Sequence, residues 1–138
     1  MTGKNYIGNQ LSAKGNKTYK TFNPEINQEN DVEFCEASSE EINDAVTLAS
    51  RAFKKFRTTS GAKKAEFLNT IADEILALDD QLIQTYCSET GLPEVRAKGE
   101  RGRTVGQLRS FATMVAEGSW VDATIDKAKP NREPMPRL

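Results

Sequence analysis

Residues 89–118, ETGLPEVRAKGERGRTVGQLRSFATMVAEG, form the stretch of sequence that is most informative about the fold. Gly91 suits the end of one helix, and Pro93 suits the first turn of the next. From there the apolar spacing predicts one long helix that ends near Gly118. Its predicted core face consists of Ala97, Thr104, Leu108, Phe111, Ala112 and Val115.

Three glycines make this predicted helix unusual, because each should cost about 1 kcal/mol relative to alanine. They share a second face with polar side chains, and this face comprises Gly99, Gly102, Gly106, Arg96, Arg103 and Gln107. Tight packing, or a break near Gly102, is the explanation that the residues alone favour. The alternative is a groove that a ligand approaches closely, with arginine and glutamine supplying hydrogen bonds.

Upstream, Ser38 and Glu41 have the spacing of a capping box, which predicts that a helix begins there. Apolar residues then recur every three or four positions as far as Arg57, as expected for an amphipathic helix. This stripe consists of Ile42, Ala45, Val46, Ala49, Ala52, Phe53 and Phe56.

Two further amphipathic helices are predicted before residue 91. The stripe of the second helix consists of Ala65, Leu68, Ile71, Ala72, Ile75 and Leu76. Asp79 and Asp80 are predicted to cap the third, which carries Leu82, Ile83, Tyr86 and Cys87.

The two ends of the chain have no helical periodicity. Near the N-terminus, Tyr6-Ile7 and residues 18–22 flank turn-forming residues and predict a small β-hairpin, and residues 31–36 alternate like a half-buried strand. Residues 127–138 contain Pro130, Pro134 and Pro136, which predicts an extended arm. The expected segment is therefore mostly α, with about four helices, one small hairpin and a C-terminal arm.

Composition excludes several classes of function. The 19 basic and 20 acidic residues leave a net charge of -1, so neither nucleic acid nor a membrane surface is an expected partner. The sequence has no long apolar run and no apolar leader, which predicts a cytoplasmic protein. Histidine is absent, which removes the commonest general base and metal ligand, and no metal site is expected.

Several segments, taken in order, resemble the opening of the aldehyde dehydrogenase superfamily. They are Phe22-Asn23-Pro24, the helices predicted at 38–53 and 65–75, and Glu89-Thr90-Gly91-Leu92-Pro93. Residues 89–96, 99–104, 107–112 and 117–121 are most similar to the branch that oxidises α-ketoglutaric semialdehyde (2,5-dioxopentanoate). No single motif carries the resemblance, which covers nearly the whole chain and rests on the ordered combination.

The resemblance implies a large α/β enzyme with a Rossmann-like cofactor domain, a catalytic domain and a small oligomerisation domain. Residues 1–121 would form the first part of the cofactor-binding domain, and residues 122–138 would begin the oligomerisation arm. A homo-oligomer acting on a small aldehyde, with NADP or NAD as cofactor, is expected.

Family members oxidise the aldehyde through a thiohemiacetal on a cysteine and pass hydride to NAD(P). The residues that do this lie downstream of the position matching Leu138, so no catalytic or cofactor-binding residue is expected in this segment, and the segment alone is predicted to be inactive. Cys35 and Cys87 do not occupy the nucleophile's position. Both are interpreted as structural thiols without a mutual disulfide.

One position could still contact substrate. By the resemblance, Arg103 and Gly99 fall where these enzymes place residues at the mouth of the substrate tunnel. The hypothesis is that the Arg103 guanidinium binds the carboxylate of a keto-acid semialdehyde, with Gln107 assisting. The other arginines, Arg96, Arg101 and Arg109, are interpreted as surface ion-pair partners of Glu94 and Glu100.

Two alternatives remain open at this point. One is a free-standing helical interaction module without catalysis, which would bury its apolar stripes against a partner protein. The other is a dehydrogenase for succinate semialdehyde or another acidic aldehyde. An uncovered apolar face and the ordered resemblance are the features that distinguish a dehydrogenase segment from an interaction module.

Overall fold

The computed structural model describes residues 2–124, 127–131 and 133–134. Within these ranges the chain is mostly helical, with short antiparallel strand pairs at its N-terminus, as predicted. The elements are β1 (Asn5–Ile7), β2 (Gln10–Ser12), β3 (Thr18–Asn23), β4 (Gln28–Cys35), α1 (Ser39–Phe56), α2 (Gly61–Ala77), α3 (Asp79–Thr90) and α4 (Glu94–Glu117). A 3-10 turn, Ser119–Val121, follows α4.

The strands form two hairpins rather than the predicted one. Tyr6 of β1 lies opposite Leu11 of β2, and Tyr19 of β3 lies opposite Phe34 of β4. The predicted pairing of Tyr6-Ile7 with residues 18–22 is therefore wrong. Gly8 adopts a φ of 62°, which reverses the chain directly after β1. This leaves β3 to pair with β4, the strand predicted at residues 31–36.

Helix α1 begins as predicted, with Ser38 as its N-cap and a complete capping box. Its apolar stripe, however, is largely uncovered by the described part of the chain. The exposed fractions are 54% for Ile42, 64% for Val46 and 61% for Phe53. The β1–β2 hairpin packs on a different side of α1, so the stripe remains open to solvent.

Helices α2 and α4 form the largest packing interface between the described elements. They run antiparallel, because Gly61 at the start of α2 meets Val115 near the end of α4. The buried hydrophobic residues are mostly small and consist of Ala65, Ala72, Ile83, Ala97, Val105 and Ala112. Small side chains at these positions allow the helix axes to approach closely.

The predicted core face of α4 is confirmed at Ala97 and Ala112, which are buried, and is wrong at Phe111 and Thr104. Val105 is buried, whereas Phe111 is 54% exposed and Thr104 is also exposed. Helices α2 and α3 approach the side that carries Ala97, Val105 and Ala112. The position of the neighbouring helices, rather than the size of the apolar side chains, selected the buried face.

The end of α3 is as predicted, but the predicted capping of its start is wrong. Gly91 closes the helix in the left-handed conformation, with φ 67°, as predicted. The aspartates do not cap its start, because Leu78 is the N-cap residue and no side chain makes a capping bond there. Asp79 and Asp80 instead lie in the first turn, where their charge favours the helix dipole.

The chain exposes much more surface than its size requires. Its accessible surface is 11006 Å², whereas a compact protein of this mass exposes about 7100 Å². Among the described residues, no helix is long and apolar enough to cross a membrane. The predicted C-terminal arm falls partly outside the description, since residues 125, 126, 132 and 135–138, including Pro136, are not covered.

Candidate functional site

The glycine face of α4 lies on an unbroken helix and is exposed; it consists of Gly99, Gly102, Gly106, Arg96, Arg103 and Gln107. The helix runs without interruption from Glu94 to Glu117, so a break near Gly102 is excluded. An added Cβ at Gly99, Gly102 or Gly106 would meet no described atom within 4 Å. Tight packing against the described part of the chain is therefore not the reason for these glycines, and the face is free to receive a ligand or another part of a protein.

The structure brings the three predicted substrate-binding residues onto this face. Gly99, Arg103 and Gln107 are spaced four residues apart, and all three are exposed. The Arg103 side chain is 71% exposed, and within the described ranges its ion-pair partner is Glu100, at 3.8 Å. The face is a shallow, open surface, so these residues alone do not enclose a substrate.

Glu100 lies between two arginines, and the sequence predicted only one of these two ion pairs. Its carboxylate is 2.6 Å from the Arg96 guanidinium and 3.8 Å from that of Arg103. The pairing with Arg96 was predicted, whereas the pairing with Arg103 was missed. The separation of three residues between Glu100 and Arg103 is the signal that could have revealed it.

Two other arginines connect helices instead of pairing within α4. The Arg101 guanidinium lies 3.6 Å from the carboxylate of Asp79, which belongs to α3. The guanidinium of Arg109 lies 2.9 Å from the carboxylate of Asp73 on α2. The predicted pairing of these two arginines with Glu94 or Glu100 is wrong, because their side chains point toward the helix interface.

Glu41 forms a second polar cluster, at the junction of the β1–β2 hairpin and α1. The residue is only 1% exposed. Its carboxylate accepts hydrogen bonds from the Ser12 hydroxyl, from the Lys14 backbone N–H at 3.0 Å and from the Ser38 N–H at 2.8 Å. These donors, Ser12 foremost, lower the pKa of Glu41 to about 2.

This cluster is interpreted as a structural link rather than a reactive group, because its carboxylate oxygens are already occupied by donors. The capping box between Ser38 and Glu41 was predicted from sequence. The bonds to Ser12 and Lys14 were not, since they join residues 29 and 27 positions apart. Nothing in the local spacing indicates that the hairpin folds back onto the helix.

The two cysteines are free and half-buried. The Cys35 thiol lies 3.5 Å from the Gly15 carbonyl and 3.4 Å from that of Glu36. Cys87 lies on α3, in a half-buried stretch of that helix. In the portion of the chain that is described, no group of three cysteine, aspartate or glutamate side chains is arranged to hold a metal ion.

The sequence profile of the aldehyde dehydrogenase family matches residues 11–135. The chain therefore belongs to the aldehyde dehydrogenase family. Within it, the chain is 44% identical over 138 residues to alpha-ketoglutaric semialdehyde dehydrogenase 2 of Azospirillum brasilense. It is 38% identical over 136 residues to alpha-ketoglutaric semialdehyde dehydrogenase of Acinetobacter baylyi. Each alignment covers 99% of this chain but only 26% of the relative.

Solved structures support the same fold. Betaine aldehyde dehydrogenase from Staphylococcus aureus matches 97% of this chain with a TM-score of 0.77 and 20% identity. Succinate-semialdehyde dehydrogenase from Burkholderia pseudomallei matches 94% with a TM-score of 0.75 and 21% identity. In both cases the match covers 26% of the larger chain. The chain thus has the fold of a segment that makes up about one quarter of the length of each of these dehydrogenases.

Proposed function

We propose that this sequence serves as the leading segment of an NAD(P)-dependent dehydrogenase that oxidises an acidic semialdehyde, with α-ketoglutaric semialdehyde as the first candidate. The observation that carries the proposal is the 44% identity, over nearly the whole chain, to an enzyme named for that substrate. A relative of lower identity, 28%, is named as a succinate-semialdehyde dehydrogenase of Schizosaccharomyces pombe that uses NADP. Both names point to aldehydes that carry a carboxylate.

In this proposal the catalytic residues and the cofactor ligands lie outside the 138 residues, and NADP is preferred to NAD. The staphylococcal structure contains NAD+, which supports a nicotinamide cofactor as the hydride acceptor. Residues 1–121 would belong to the cofactor-binding domain and residues 122–138 to the oligomerisation arm of a cytoplasmic homo-oligomer. The segment alone would not oxidise an aldehyde.

The uncovered surface of the chain supports a place within a larger enzyme. Val46 and Phe53 of α1 are more than half exposed, although they belong to a continuous apolar stripe. Contiguous exposed apolar surface of this kind marks a place where another part of a protein packs. In a polypeptide of the relatives' length, the remaining three quarters would supply that cover.

Arg103 is the residue that we assign to recognition of the substrate carboxylate. Its guanidinium is exposed and weakly held, and a planar fork of N–H donors matches a carboxylate in geometry and charge. Gly99 keeps the adjacent surface free of side chains, and Gln107 offers a further donor one turn along the helix. Together they would favour an anionic aldehyde over a neutral one.

Replacing Arg103 by alanine in the full-length enzyme is expected to raise KM for α-ketoglutaric semialdehyde about three- to fivefold, because an ion pair at so exposed an arginine contributes up to about 1 kcal/mol. KM for a neutral aldehyde of similar length should change less than about twofold. Arg109→Ala is the matched control, since Arg109 is an arginine of the same helix that pairs with α2. Steady-state kinetics with both aldehydes would measure the difference, and equal increases for the two would reject the assignment.

The whole proposal is tested on the protein isolated from its natural host. Intact mass would be measured together with NADP reduction by α-ketoglutaric semialdehyde. A chain several times heavier than 15.3 kDa that reduces NADP is the expected result. A stable and inactive chain of 15.3 kDa would contradict it and favour the helical interaction module.

A further inference from the structure

Glu100 and Arg96 lie beside Arg103, the proposed substrate-binding residue, and their positions affect how freely Arg103 can bind a substrate carboxylate. All three side chains project from neighbouring turns of α4, with Glu100 in the middle. The contact of Glu100 with Arg96, at 2.6 Å, is much closer than its contact with Arg103, at 3.8 Å. The Glu100 carboxylate therefore pairs mainly with Arg96 and makes only a long contact with the Arg103 guanidinium.

We infer that Glu100 is a specificity-determining residue: its carboxylate competes with the substrate carboxylate for Arg103, and Arg96 limits that competition by holding Glu100 aside. The inference rests on the proposed role of Arg103 and adds two residues to it. A side-chain carboxylate three positions away presents the same chemical group as an acidic aldehyde. An acidic substrate must displace it, whereas a neutral aldehyde does not compete for the guanidinium.

The exposure of the cluster sets the size of the effect. The Arg103 side chain is 71% exposed and that of Glu100 is 31% exposed, so solvent weakens their attraction. Exposed pairs of this kind change an equilibrium by a small factor, about two- to fivefold. Glu100 is therefore expected to adjust the affinity for an acidic aldehyde rather than to decide it.

The test uses the full-length enzyme with its nicotinamide cofactor, and compares α-ketoglutaric semialdehyde with butanal. Glu100→Gln should lower KM for the acidic aldehyde about threefold and leave KM for butanal and kcat for both substrates unchanged. Glu94→Gln is the matched control, because it removes a similar pair, with Lys98 at 2.9 Å, from another side of the same helix. Thermal unfolding of each variant would establish that it is folded.

Arg96→Met supplies the second arm of the experiment. It releases Glu100 toward Arg103 and should raise KM for the acidic aldehyde about twofold. In the Glu100→Gln background the same change should have no effect, since no carboxylate remains to be released. An increase of equal size in both backgrounds would mean that Arg96 binds the substrate directly, and it would overturn the role given to Arg96.

The two proposals fail in different ways. If Arg103→Ala does not discriminate between the aldehydes, both the proposed carboxylate site and this inference are rejected. If Arg103→Ala discriminates as expected but Glu100→Gln leaves KM for the acidic aldehyde unchanged, only the inference is rejected. A threefold decrease with Glu100→Gln that disappears in the Arg103→Ala background would support both.

Discussion

Replacing Gly61 by alanine is expected to lower the free energy of unfolding by about 2–3 kcal/mol. A Cβ at this position would lie 2.2 Å from the Val115 carbonyl oxygen and 3.3 Å from its carbon. Both atoms are backbone, so no side chain can rotate away, and α2 must move off α4 at their main interface. Urea denaturation followed by circular dichroism would measure the loss.

Gly106→Ala is the matched control for this prediction. Gly106 also belongs to the α2–α4 pair of helices, but an added Cβ meets no described atom within 4 Å. Alanine should therefore stabilise α4 by about 0.5–1 kcal/mol, through its higher helix propensity. If both substitutions changed stability in the same direction, the packing of Gly61 against Val115 would not be the cause.

Glu41→Gln is expected to lower Tm at neutral pH by about 5–10 °C. Glutamine has the same shape, but its NH2 group would face one of the donors that now point at the carboxylate from Ser12, Lys14 and Ser38. Ser12 and Lys14 donate to one carboxylate oxygen and Ser38 donates to the other, so glutamine would weaken either the bonds that link the β1–β2 hairpin to α1 or the bond that caps α1. Thermal unfolding monitored by circular dichroism would measure the change.

The same residue predicts how stability depends on pH. Its folded pKa, about 2, lies below the ordinary value of 4.5, so ionised Glu41 stabilises the fold above pH 4.5. This contribution is lost as the pH falls from 4.5 toward about 2, where the carboxylate becomes protonated. The Tm difference between the original protein and Glu41→Gln should therefore shrink across that range.

Glu40→Gln is the control for Glu41. The Glu40 side chain is 69% exposed and makes a surface ion pair with Lys14 at 2.9 Å. Its removal should change Tm by less than about 2 °C, because an exposed pair contributes little. A Tm loss equal to that of Glu41→Gln would show that net charge, rather than the buried hydrogen bonds, is responsible.

Local signals predicted the helices well. Ser38 with Glu41 marked the start of α1, and Gly91 marked the end of α3, because capping and left-handed conformations depend on a few neighbouring residues. Hydrophobic spacing located α2 and α4 for the same reason. The face shared by Gly99, Arg103 and Gln107 was also predictable, since helix geometry alone places residues four apart on one side.

Predictions that required knowledge of neighbouring elements were less accurate. The pairing partner of β3, the burial of Val105 in place of Phe111, and the pairing of Arg109 with Asp73 all depend on which elements meet. Such contacts join positions far apart in the chain, and the spacing within one helix or strand does not encode them.

The sequence by itself determined the number of helices, the start of α1, the end of α3 and both ends of α4, together with the family and the face of α4 that carries the candidate site. Only the tertiary structure decided the strand pairing, the burial of Val105 in place of Phe111, the burial of Glu41 and the position of Glu100 between two arginines. The physical reason is the separation along the chain of the residues that interact. Capping and periodicity act within a few residues, whereas packing and buried hydrogen bonds depend on contacts between distant segments.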